Sequence, residues 1–222
     1  AFGTEKKLYT FFGGVNYDIT PITSTVTVTN GLNTTSGSKR IVVSTTNTLE
    51  TGDFVEFTSM AATVGGNIFL TSGSDFAVSS IDSNSFAIET STTAAATSAS
   101  TGTVTVNFLL PTGTTDAVAG LGWNAGYYGQ STYGTPRSAS DITISPRQWK
   151  LDTWGEDFVA NDRGGRVYHW ETTQGQDYRA VLVSAAPSVS NSIVVSQEDR
   201  HLICLATTEY ATGNFNPLLV RW

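Results

Sequence analysis

The chain is poorest in the side chains that do chemistry: its 222 residues include one cysteine, one methionine and two histidines. The single cysteine, Cys204, excludes an intramolecular disulfide. The apolar run Leu202-Ile203-Cys204-Leu205-Ala206 around it reads as the setting of a small buried hydrophobe. His169 alternates with Tyr168 and Trp170 as strand residues do, and His201 follows Asp199-Arg200. Neither has a second histidine or a cysteine pair at metal-ligand spacing, so both are expected to be structural or surface residues. No Gly-x-Ser-x-Gly elbow, phosphate-cradling glycine-lysine loop or His-Glu-x-x-His helix occurs. No apolar run approaches the about 20 residues that cross a bilayer as a helix, and no membrane span is expected. No signal-peptide pattern precedes Phe2, and the first residue is Ala1 rather than Met; the expectation is a chain processed or cut from something longer.

Charge is scarce as well. Charged residues make up 14% of the chain, against roughly 25% in average soluble proteins, and Ser, Thr, Gly and Asn take their place. Such a surface suits strand-rich extracellular or particle-borne proteins better than cytosolic enzymes. Basic residues are missing altogether between positions 41 and 136, where Glu50, Asp53, Glu56, Asp75, Asp82, Glu89 and Asp116 supply seven of the 19 acids. The remaining 12 acids are matched by all 12 basic residues, so the net charge of −7 resides in that stretch. Two units explain this asymmetry more readily than one continuous fold. An acidic unit with no basic stripe repels nucleic acid instead of binding it.

What is abundant is the raw material of β-structure. No amphipathic helical pattern lasts two turns, and the 39% of hydrophobic residues suffices for a core. Lys7-Leu8-Tyr9-Thr10-Phe11-Phe12 and Val15-Asn16-Tyr17-Asp18-Ile19-Thr20 read as a hairpin about Gly13-Gly14, ended by Pro21, which cannot donate to a ladder. Thr25-Val26-Thr27-Val28-Thr29 alternates strictly. Further strands are expected at 40–44, 53–58, 76–81, 85–89 and 103–108, parted by turn signals such as Asn30-Gly31, Thr51-Gly52, Gly65-Gly66 and Asp82-Ser83-Asn84. About six strands in close to 90 residues make a small β-sandwich or β-barrel. The Thr/Ala/Ser stretch 90–101 reads as a mobile loop or a short helical turn.

The texture changes again at 120–170, where a glycine-aromatic run leads into alternating segments at 157–160 and 166–170, joined by Asn161-Asp162-Arg163-Gly164-Gly165. Short strands, aromatic residues and glycine turns are what β-propeller blades are built from. Leu8-Tyr9-Thr10-Phe11, Val167-Tyr168-His169-Trp170 and Leu219-Val220-Arg221-Trp222 form a weak internal repeat of the kind blades show. The expected architecture is all-β: a partial β-propeller made of 1–22 and 113–222, with an acidic β-sandwich or β-barrel of 23–112 inserted in an exposed loop.

Two adjacent carboxylate pairs, Glu156-Asp157 and Glu198-Asp199, bring to mind glycoside hydrolysis. Neighbours on a strand point to opposite faces, however, so both pairs read as turn or cap features. Asp82-Ser83-Asn84-Ser85 lacks most acidic positions of a calcium loop and reads as a plain β-turn. The chain is accordingly expected to be no enzyme, with no catalytic, cofactor-binding or metal-binding residue. Its candidate contact loop carries Trp123, Tyr127, Tyr128 and Tyr133 among glycines. Exposed, these rings would stack on sugar faces or anchor a protein partner; buried, they would pin blades together. A carbohydrate-binding or host-surface adhesion module is the rival reading they leave open.

Several of these stretches carry a family resemblance. Phe2-Gly3-Thr4 through Ile22, with Leu8-Tyr9 and Asn16-Tyr17-Asp18-Ile19-Thr20-Pro21, resembles the opening of tail proteins of short-tailed bacteriophages. Gly122-Trp123-Asn124-Ala125-Gly126 with Tyr133-Gly134-Thr135-Pro136-Arg137 is similar to a glycine-aromatic spacer in those proteins, and 149–170 and 199–222 look like the blades that follow it. The family is the tail nozzle, or tail-stabilisation, group of podovirus-like phages, and 23–112 resembles the optional insertions its members carry. The resemblance implies a structural virion protein at the distal end of a phage tail. Copies of it, commonly six, would ring the channel through which DNA leaves, beside other tail proteins such as an adaptor and fibres. DNA would pass transiently, without sequence-specific binding, and no catalytic residue or cofactor comes with the family. A propeller of four or more blades, at about 40–50 residues each, needs more chain than the roughly 130 residues outside the insertion. The chain is therefore expected to be the N-terminal part of a longer polypeptide.

Overall fold

The computed structural model describes residues 1–60, 64–68, 70, 73–99, 102–113, 118–119, 143–144 and 146–222. Within them the all-β expectation holds: the elements are short strands and a 3-10 turn, Thr172–Gln174, with no α-helix among the described residues. The chain divides into two compact units. One comprises Lys6–Thr112 and Trp170–Leu182, the other Ala1–Glu5, Gly113–His169 and Val183–Trp222.

In the first unit, eight strands form one sheet, in the order Ser98–Ala99, Leu32–Thr34, Arg40–Ser44, Ser85–Glu89, Ser74–Asp82, Phe54–Met60, Thr103–Leu109 and Ile22–Thr29. Every neighbouring pair is antiparallel. The register sets Ile41 opposite Ile88, Val43 opposite Phe86, Val55 opposite Phe108 and Phe57 opposite Val106. Alternate residues share a face of a strand, so these side chains meet in one core, which Val64, Ile68 and Leu70 complete from a connecting loop. Phe57 meets Phe76 edge-on with ring centroids 5.6 Å apart, and Phe86 meets Phe108 at 6.1 Å. Register shifts between Ser80 and Asp82 and between Thr105 and Val106 bend the strands, as bulges do. Such a sheet is compatible with the sandwich or barrel expected here.

Leu32–Thr34 and Ser98–Ala99 add two strands to the six that alternation marks, being too short to display a period. The described part of the Thr/Ala/Ser stretch is held by hydrogen bonds to its neighbours. Ala94 is buried; its amide donates to the Ser38 carbonyl at 2.8 Å, and the Ala95 amide donates to the Gly65 carbonyl at 3.1 Å. The Thr34 hydroxyl closes the same stretch by donating to the Ala96 carbonyl at 3.0 Å.

The N-terminal hairpin, Leu8–Phe12 with Val15–Asp18, belongs to this unit. Phe12 pairs with Val15 across Gly13 and Gly14, whose φ values of 59° and 84° are the two positive angles that a two-residue turn matched to strand twist requires. Beyond it, Leu8 and Ile19 are fully buried, and the returning segment 170–182 is fixed by the Ala180 amide, which donates to the Ile19 carbonyl at 2.9 Å.

The second unit is a set of antiparallel meanders, compatible with blades. Trp149–Trp154 pairs with Asp157–Asp162, which neighbours Val167–Trp170. A separate three-stranded sheet runs Ser190–Val195, Leu202–Thr208, Phe215–Arg221. Between them Val159, Val167, Ile193, Val195 and Cys204 form a core. Asn161, fully buried, holds the 161–165 turn by donating from its amide nitrogen to the carbonyls of Asp162, Gly165 and Arg166. Val118–Ala119 pairs with Thr143–Ile144 in a two-stranded ladder. At the N-terminus the Trp149 indole donates to the Thr4 carbonyl at 2.9 Å and lies so close to Gly3 that a Cβ there would meet the ring.

Candidate interaction surfaces

Apart from His169 and Asp157, the residues that composition offered for chemistry are not brought together among the described residues. Glu156 is exposed at the turn before Asp157–Asp162, and Glu198 and Asp199 are exposed in the turn before Leu202–Thr208. Asp82 caps its own turn, its carboxylate accepting from the Asn84 amide at 2.8 Å and the Ser85 hydroxyl at 3.0 Å. His169 faces Asp157 at 3.4 Å, and His201 is exposed. Cys204 is buried, and its burial pushes the thiol up from its ordinary pKa. Among the described residues no group of His, Cys, Asp and Glu is arranged to hold a metal ion, and no helix is long and apolar enough to cross a membrane. Trp123, Tyr127, Tyr128 and Tyr133 lie outside the described residues.

Among the described residues, a dense polar site lies in the eight-stranded unit, and nothing in the sequence reading pointed to it. Arg179, on the returning segment, donates to Glu56 at 3.1 Å, Asp75 at 2.8 Å and the Thr20 carbonyl at 3.1 Å, and approaches Asp18 at 3.4 Å. Lys7 bridges Asp18 at 2.6 Å and Asp75 at 2.5 Å and sits 4.5 Å over the Phe54 ring. These five charged side chains are 12–21% exposed. Two cations therefore face three carboxyls, an imbalance that one retained proton removes. Burial pushes Asp75 up to about 6, reinforced by its hydrogen bond with Asp18. Burial acts on Asp18 in the same direction, but hydrogen bonds from Asp75, Lys7 and Thr20 outweigh it and bring Asp18 down to about 2.

A raised acid stabilises the fold while protonated, so the Asp75 contribution is lost as pH rises through about 6. The depressed Asp18 does the reverse, its contribution being lost only as pH falls toward about 2. Urea unfolding is expected to show the wild-type chain about 1 kcal/mol less stable at pH 7.5 than at pH 5. Asp75→Asn, neutral throughout, should flatten that difference while retaining wild-type stability at pH 5. Equal pH dependence in the two proteins would show that Asp75 does not hold the proton.

Among the described residues, apolar surface is concentrated in two other places. In the three-stranded sheet Ile193 pairs with Cys204 toward the core, so Val194, Leu205 and Val220 turn to the other face, where they are 36–42% exposed. Leu218 and Trp222, on and just beyond the edge strand, are 91% and 86% exposed. On the core side, Trp154, Val183, Ala186, Leu202, Cys204 and Trp222 line a cleft of about 360 Å³, together with Arg200, His201 and Arg221. In the other unit the hairpin tip carries Phe11, Phe12 and Val15, each more than half exposed. Alternation places Phe11 and Phe12 in a strand but gives no sign that both rings of the tip are exposed.

No family model and no curated protein matches the chain. Four chains of solved structures match. One is "Phage phi92 endosialidase", aligned over 86% of this chain and 29% of that one, at 14% identity and a TM-score of 0.34. The chain thus spans less than a third of that protein's length, and a likeness this loose identifies neither a family nor an activity.

Proposed function

We propose that the chain is a structural subunit of a bacteriophage tail, working by contact rather than by catalysis, and that its place is the nozzle at the distal end of the channel. The observation that carries the subunit reading is the outer face of the three-stranded sheet. Val194, Leu205 and Val220 gather there. A contiguous apolar face marks a surface made to be covered. The resemblance of 2–22, 122–137, 149–170 and 199–222 to tail nozzle proteins supports the phage assignment. Ring formation around passing DNA agrees with the charge map, because walls without Lys or Arg across 41–136 offer no cations to grip phosphates.

The reading is tested on particles. Antibody raised against the chain is expected to label the tail tip of the virion in negative-stain micrographs, with a ring of copies visible in averaged images. Label on the capsid, or particles free of the chain, would reject the assignment.

A further inference from the structure

We propose that the hairpin tip Phe11-Phe12-Gly13-Gly14-Val15 of one copy seats in the apolar cleft beside Cys204 of a second copy. The contact rests on the subunit reading and names the partner surfaces that would join neighbouring subunits. From Leu8 to Tyr17 the hairpin has no charged residue, and Phe11 and Phe12 are 62% and 63% exposed. Adjacent strand residues point to opposite faces, so the tip offers an aromatic ring on each side and is covered on neither. Nothing lies within 4 Å of the Cβ positions at Gly13 and Gly14, which leaves the turn free to enter a partner.

The cleft is the apolar counterpart. It is lined by Trp154, Val183, Ala186, Leu202 and Trp222, and its 360 Å³ is within the about 300–1,000 Å³ range of sites that enclose small apolar groups. Arg200 and Arg221 are the remaining match: guanidinium groups accept aromatic faces, as Arg221 already does with Tyr210 at 5.4 Å. An uncharged tip meets no like charge there, and no Asp or Glu side chain lines the cleft among the described residues. Knob and cleft are different surfaces of the same chain. Their union is therefore head-to-tail, the type of contact that closes into a ring when its rotation allows.

The test places one cysteine in each partner. In a Cys204→Ala background, Phe12→Cys marks the tip and Ala186→Cys marks the cleft. Mixed in equal amounts and oxidised with diamide, the two proteins are expected to yield a disulfide-linked heterodimer in about ten-fold excess over either homodimer. A second variant, Phe11→Ser with Phe12→Ser, alters only exposed side chains. It should keep the wild-type circular dichroism spectrum while its self-association in sedimentation velocity weakens by about ten-fold. Equal yields of all three dimers, or unweakened association of the double variant, would overturn the contact. Tail tips labelled by antibody together with no heterodimer would remove this contact alone and leave the subunit reading standing.

Discussion

Arg179→Ala lowers the stability of the eight-stranded unit by about 3–5 kcal/mol, the cost of leaving buried charges without their partner. Urea unfolding at pH 7.5 measures it, and the melting temperature should fall by roughly 10–20 °C in parallel. The size follows from geometry. One guanidinium serves Glu56, Asp75, Asp18 and the Thr20 carbonyl, and after its removal only Lys7 remains against three acids. Glu56 is the most affected, since among the described residues its remaining hydrogen bond is a 3.4 Å contact from the Asn107 amide. Adding Glu56→Gln to the Arg179 variant should recover part of the loss, because the group left without a cation is then neutral. A loss below 1 kcal/mol for Arg179→Ala would mean that water takes over the role of the guanidinium.

Phe57→Ala costs the same unit about 3–5 kcal/mol, as large-to-small changes in a closed core do. The ring is fully buried on a central strand, opposite Val106, with its edge against Phe76. Phe54, three residues earlier on the opposite face, is the internal comparison. It is only partly buried and lies under the Lys7 ammonium, so Phe54→Ala should cost less than half as much. Denaturation of the two variants side by side reads the difference, and equal losses would show that the strand does not separate a core face from an outer one.

The strands were legible because their neighbours bury one face. Arg40–Ser44 and Ser85–Glu89 fall where alternation puts them, and the Gly13-Gly14 turn follows from two residues able to take positive φ. The charge network was not legible, because Lys7, Asp18, Glu56, Asp75 and Arg179 share no period and come together only through strand order. A signal was nevertheless present. With no Lys or Arg between 41 and 136, any buried Glu56 or Asp75 had to draw its cations from elsewhere in the chain. The exposed sheet face was hidden for a different reason: Val194, Leu205 and Val220 have the hydrophobicity of core residues, and only their pairing shows which side of the sheet they occupy. The hairpin's place in the eight-stranded unit was equally out of reach, since it depends on Lys7 meeting Asp75, 68 positions away.

The position of Arg179 also governs when this unit can mature during synthesis. The last strand of the sheet ends at Leu109, yet the second cation is made only after 70 further residues. At about 5–20 residues per second the ribosome needs roughly 4–14 s to supply it. Through that interval the nascent sheet carries Asp18, Glu56 and Asp75 against Lys7 alone, and a chain released early would keep its strands without the residue that fastens them.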